Sequence, residues 1–134
     1  DQYLWALRQE DGRTAWNAFF EAPLTSPPIL IGERLFVQVP DRGLICFDAF
    51  PDDSVEGVEL WTSPAPGVVI GQRGQRILVW DAEHRLLSLV DVQRGRVIDT
   101  FELPQVEQIR TTAPMDGDLY AASRDGRLTR LVKP

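Results

Sequence analysis

The sequence predicts an all-β chain of β-propeller blades, each a sheet of four antiparallel strands, with about three blades present. Three observations predict it. The first is a repeat. Tyr3-Leu4-Trp5-Ala6-Leu7, Gly43-Leu44-Ile45-Cys46-Phe47, Arg85-Leu86-Leu87-Ser88-Leu89 and Arg127-Leu128-Thr129-Arg130-Leu131 begin 40, 42 and 42 residues apart. Arg34-Leu35-Phe36-Val37, Arg76-Ile77-Leu78-Val79 and Asp118-Leu119-Tyr120-Ala121 recur at 42 as well. Strand-like units at such a period stack on their neighbours because none can bury both faces alone. The second observation is the lack of any sustained 3.6-residue apolar period, with Pro and Gly interrupting the chain throughout. The third is that the middle strands are apolar on both faces: Leu35, Val37 and Val39 alternate with Phe36, and Ile77 and Val79 with Leu78 and Trp80. A sheet with one wet face would alternate apolar with polar instead. An immunoglobulin-like sandwich also alternates, but has no reason to repeat its sequence.

Taken in order, the strands fall near 3–8 and 13–20, then 26–31, 34–39, 43–48 and 58–63. A second full set follows near 67–72, 76–81, 85–91 and 96–102, and three more near 109–114, 118–123 and 127–132. Turns are expected at Asp11-Gly12, Asp116-Gly117 and Asp125-Gly126. This divides the chain into residues 1–22 (the last two strands of a first blade), 23–64 and 65–104 (full blades) and 105–134 (three strands of a last blade). Ala6, Cys46 and Ser88 share one slot in the third strand, where a small side chain is wanted; Arg130 breaks that pattern.

Composition narrows the classes. The 134 residues are 43% hydrophobic and 25% charged, with a net charge of −6. That balance is ordinary for a folded domain and lacks the basic stripe that nucleic acid requires. Of the 14 basic residues all but Lys133 are Arg, scattered among acids as on a solvated surface. No apolar run is long enough to span a membrane as a helix, and no signal peptide is legible. The chain opens on Asp1, as a processed chain or a piece of a longer one would.

These repeats resemble the quinoprotein-like, or PQQ-like, β-propeller family. Leu119-Tyr120-Ala121-Ala122-Ser123-Arg124-Asp125-Gly126-Arg127-Leu128 is similar to the family's turn region. Trp5-Ala6-Leu7 followed by Asp11-Gly12-Arg13-Thr14-Ala15-Trp16 is similar to its second half, and Gly57-Val58-Glu59-Leu60-Trp61 to its end. The resemblance implies that Trp16 and Trp61 dock one blade onto the next. The third copy departs from it, with Asp99 where Trp is expected, so Phe101 is the candidate for that contact. Trp80-Asp81 occurs once, in the second strand, without the Gly-His pair of a WD40 repeat.

Two, four, four and three strands fall short of a closed ring, which takes about four to eight blades. The remaining blades are expected from a missing segment of the same protein or from another chain, a homodimer included. Uncovered blade faces would otherwise be exposed to aggregation.

Candidate chemistry is sparse. A quinoprotein dehydrogenase would hold its cofactor between a Trp and a vicinal disulfide, with Ca²⁺ and an Asp base; one cysteine cannot form that disulfide. His84 is the only histidine and lies in a tight turn with no nucleophile to place beside it. Cys46 fits a buried small-residue position better than a reactive thiol. The acidic insertion Asp48–Glu56 offers oxygen ligands but no EF-hand spacing. Loops carry function on rigid scaffolds, so its Phe50, Asp52, Asp53 and Glu56 are the candidate partner contacts. No catalytic, cofactor or metal residue is assigned. The expected function is a non-catalytic protein-interaction scaffold. By resemblance to BamB-like outer-membrane assembly lipoproteins it would be exported, periplasmic or at the cell surface. A ligand-sensing extracellular module of a signalling protein, or a quinoprotein dehydrogenase fragment, is the alternative.

Overall fold

The computed structural model describes residues 2–131 and is all-β. Its thirteen strands follow the expected order. β1 (Tyr3–Leu7) and β2 (Thr14–Phe19) form a two-stranded sheet. β3 (Ile29–Ile31), β4 (Arg34–Val39), β5 (Gly43–Asp48) and β6 (Val58–Ser63) form the next, in chain order. β7 (Val68–Arg73), β8 (Arg76–Asp81), β9 (Leu86–Asp91) and β10 (Val97–Glu102) form the third. β11 (Val106–Thr111), β12 (Leu119–Ser123) and β13 (Leu128–Leu131) form the last. Every pairing between consecutive strands is antiparallel. The sheets do not close into a ring, and the expected end of the last strand at Val132 lies outside the described residues.

The missing polar alternation now has its physical reason. Successive side chains of a strand point to opposite faces, and in the two full sheets both faces are covered. Phe36, Leu44, Cys46 and Trp61 face Ile77, Val79 and Val90 of the following sheet. Val37, Val39, Ile45 and Phe47, one residue out of phase, face Leu4, Trp16 and Phe20 of the preceding one. Leu78, Trp80 and Leu87 turn the other way, onto Ile109, Leu119 and Ala121. Three apolar layers therefore separate four sheets, as in stacked blades. The first strands β3, β7 and β11 lie side by side along one edge of the stack.

Three sequence expectations are corrected. Ser88 does not share the slot of Ala6 and Cys46. Phe36 pairs with Cys46, and its counterpart Leu78 pairs with Leu89; Ser88 pairs with Val79 instead. The turn between β8 and β9 shifts the frame by one residue, which the 42-residue count hides. The true series opposite the fourth strand is Ala6↔Trp16, Cys46↔Trp61 and Leu89↔Asp99. A small residue stands where an indole crosses, and a large one where the indole is lost. Phe101 does not take over the contact of the missing Trp: it is 43% exposed and lies outside the layer between the last two sheets.

The last sheet starts at Val106, three residues earlier than expected, because Thr112–Asp118 is not a tight hairpin turn. It folds back onto the preceding sheet. Gln72 N donates to Pro114 O (2.7 Å), Asp116 N to Gln72 O (2.8 Å) and Gly74 N to Asp116 Oδ1 (2.9 Å). Arg73 adds a hydrogen bond from its guanidinium to Gly117 O (2.8 Å). Asp116-Gly117 is thus part of a clasp between sheets.

Candidate functional site

The acidic insertion has two roles, divided along its length. Its far end is structural: Asn17 N donates to Val55 O (3.2 Å) and Gly57 N to Asn17 O (2.8 Å). This makes Glu56 a parallel bridge partner of Asn17 and covers the outer edge of β2. Gly57 packs closely, since a Cβ there would lie 3.1 Å from both Phe47 and the Trp16 ring. The near end is presented to solvent. Asp48 Oδ1 accepts Phe50 N (3.0 Å), turning the chain outward. Phe50 is 65% and Val55 77% exposed, and Asp52, Asp53 and Glu56 are exposed around them. A cleft of about 460 Å³ beside them is lined by Arg8, Trp16, Phe50, Pro51, Asp53 and Val55. Phe50, Asp52, Asp53 and Glu56 therefore share one exposed loop surface, with Glu56 held by its backbone.

Both tryptophans that sequence resemblance assigns to docking reach across to the following sheet. Trp16 Nε1 donates to Ala49 O (3.0 Å) and Trp61 Nε1 to Val92 O (2.9 Å). The two acceptors are equivalent, each the residue immediately after the partner of the first residue of the neighbouring hairpin (Asp48↔Arg34, then Ala49; Asp91↔Arg76, then Val92). Trp16 also stacks on Phe47 with ring centroids 5.8 Å apart. An indole suits this place because its apolar body fills the layer while its N–H meets a carbonyl.

Cys46 is fully buried in the layer behind Trp61, and desolvation there pushes its thiol up to about 12. Nucleophilic attack needs the thiolate. Native protein should therefore leave a thiol reagent such as DTNB unconsumed at pH 8, with one equivalent released on unfolding in guanidinium. Rapid reaction of the native chain would place Cys46 outside the core.

His84 sits where the sequence placed it, in the β8–β9 turn, with a well-exposed ring. Its Nδ1 lies 2.8 Å from Oδ2 of the buried Asp81, whose other oxygen accepts the Glu83 and His84 amides. The hydrogen bond the ring donates to the Asp81 carboxylate, then the carboxylate's charge, raises the His84 pKa. A raised folded value stabilises the protein below the unfolded pKa of about 6.5, and this is lost as pH rises through the folded value. Thermal melts of the chain and of His84→Gln should differ most at acidic pH and converge at alkaline pH. A gap that widens with pH would contradict the pairing. No group of three or more His, Cys, Asp or Glu able to hold a metal occurs among the described residues.

One feature was not legible as a site: the outward face of the β1–β2 sheet. Tyr3 (43%), Trp5 (50%), Leu7 (62%) and Phe19 (57%) are all exposed there. Tyr3 stacks on Trp5 at 5.4 Å and against Phe19 at 5.1 Å. The signal was present in the repeat, since Trp5 occupies the register of Ile45 and Ser88, both buried by a preceding sheet.

The fold and these faces define an open β-propeller array. Among solved structures the chain is similar to BamB from Moraxella catarrhalis, with a TM-score of 0.64 and 18% identity. That match covers 97% of this chain and 43% of BamB, so the chain spans less than half of that protein's length. It is also similar to the computationally designed Ika4 protein (TM-score 0.63, 10% identity, 92% of this chain and 74% of Ika4). At these identities the likeness shows the fold alone. No protein-family model matches the chain, and no curated protein matches it.

Proposed function

We propose that this chain is part of a non-catalytic propeller scaffold that holds other proteins through its loops and faces, in assembly of the bacterial envelope or outer membrane. The observation that carries it is the pairing of a stack of sheets with a projecting loop whose Phe50, Asp52, Asp53 and Glu56 are exposed, even though its Val55–Gly57 backbone is tied to β2. The likeness of fold to BamB, together with the PQQ-like repeat pattern, supports a periplasmic or cell-surface setting. In this reading the blades divide near 22/23, 64/65 and 104/105, Trp16 and Trp61 are docking residues, and Phe50, Asp52, Asp53 and Glu56 meet the partner.

Tagged protein incubated with detergent-solubilised outer membranes should retain a component of the outer-membrane assembly machinery. Phe50→Ala with Asp52→Arg should release it while leaving the melting temperature near that of the parent, since both side chains are exposed. Failure of the unaltered chain to retain any such component would sink the reading. Equal retention by the double variant would move the contact away from this loop.

A further inference from the structure

The loop between β5 and β6 is tied to the first hairpin at two places and stands off it between them. Trp16 Nε1 donates to the Ala49 carbonyl (3.0 Å), and Asn17 N donates to Val55 O (3.2 Å). Between these ties the chain turns outward at Phe50 and passes through a left-handed Asp53 (φ +53°). Ser54 Oγ then donates to Glu56 O (2.7 Å), which braces the return leg. The gap between the ties is the cleft of about 460 Å³, a volume within the range of ligand clefts. Its walls are set by bonds made without a ligand, so little order remains to be imposed on binding.

The two walls differ in chemistry. Arg8 and Trp16 come from the hairpin, and Phe50, Pro51, Asp53 and Val55 from the loop. Phe50 and Val55 are exposed, so a single apolar side chain entering the cleft removes apolar surface of both from water. Arg8 and Asp53 are exposed as well, and no ion pair joins them among the described residues. The cleft therefore offers a cation on one wall and an anion on the other, with Asp52 adjoining the anionic side. A ligand bearing one sign of charge satisfies one wall and meets like charge at the other, which costs affinity.

Building on the reading of this loop as a partner surface, we propose that the cleft takes a short extended segment of a partner protein with one large apolar residue flanked by opposite charges. The apolar side chain enters between Phe50 and Trp16. A carboxylate on one side of it meets Arg8, and an ammonium or guanidinium on the other side meets Asp53.

The test titrates the full ¹⁵N-labelled chain with the peptide acetyl-Glu-Leu-Lys-amide. The Trp16 indole signal and the Phe50 and Val55 amides should shift progressively. Acetyl-Lys-Leu-Lys-amide and acetyl-Glu-Leu-Glu-amide should each bind about two- to fivefold more weakly, the size of one exposed charge pair. Acetyl-Glu-Ala-Lys-amide should bind about tenfold more weakly, since most of the buried apolar surface is gone. Arg8→Gln should erase the preference over the Lys-Leu-Lys peptide, and Asp53→Asn the preference over the Glu-Leu-Glu peptide. Asn tolerates the left-handed backbone at position 53, so the second variant alters the charge and spares the turn.

Absence of shifts at Trp16, Phe50 and Val55, or equal binding of the three charged probes, would overturn the proposal. Tightest binding of the Lys-Leu-Lys peptide would overturn it in favour of a uniformly basic partner. Preferences unchanged in both variants would remove Arg8 and Asp53 from the contact and overturn it too. Peptide binding without retention of any outer-membrane component sinks the envelope-assembly setting and leaves the cleft assignment standing. Retention that depends on Phe50, with no peptide shift, does the reverse, so the two readings fail separately.

Discussion

Trp61→Ala is expected to destabilise the chain by about 3–5 kcal/mol, the usual range for truncating a buried large aromatic. The residue packs in the layer between the two full sheets, tilted against Phe36 at 5.9 Å, and its N–H is the partner of the buried Val92 carbonyl. Its loss opens a cavity, removes that hydrogen bond and uncovers Gly95 at once. Trp61→Phe separates these terms. It keeps most of the apolar body and forfeits the hydrogen bond, so its cost should be nearer 1–2 kcal/mol, about the range for one unmet buried polar group. Urea unfolding followed by circular dichroism reads both values. Equal cost for the two variants would mean that the hydrogen bond, rather than the packing, holds the interface.

Phe47→Ala is expected to cost a similar amount, about 3–5 kcal/mol, but to act on a different part of the molecule. Phe47 is buried between Trp16 at 5.8 Å and Phe20 at 6.0 Å and closes the layer under the first sheet. That sheet has two strands among the described residues, and an isolated hairpin is marginal in water. Its order therefore comes from this layer. Hydrogen exchange should show the β1 and β2 amides losing protection well before those of β8 and β9. Uniform loss across all sheets would show that the array unfolds as a single unit.

The fold was largely legible because each blade obeys the same packing rule, so the repeat in the sequence is a repeat in the contacts. Val37 and Val79, or Phe36 and Leu78, could be matched by counting alone. Counting failed where one residue was gained without disturbing the apolar pattern. Leu87-Ser88-Leu89 reads equally well in either frame, and only the pairing with Val79 places Ser88. It failed again at Thr112–Asp118, because Asp-Gly marks a bend but not how far the chain travels before it. The candidate loop was visible as a length difference and an acidic run. Its covering of β2 was not, since the Asn17 and Gly57 bonds are made by backbone groups that carry no side-chain signature. The exposed aromatic face was hidden for a related reason: Trp5 and Phe19 read as core residues in any strand.

The two loops that fold backward change how force and fluctuation spread through the array. Indoles tie the first and second sheets forward to their successors, whereas Glu56 and Met115 tie later loops back to earlier strands by parallel bridges. A terminal sheet in a simple tandem repeat frays independently of the rest. Here Gln72 cannot release Met115 without also freeing Asp116 from Gly74, so fraying of the last sheet must take the β7–β8 corner with it. Mechanical unfolding by pulling on the chain ends should accordingly proceed in fewer, larger steps than four separate sheets would give.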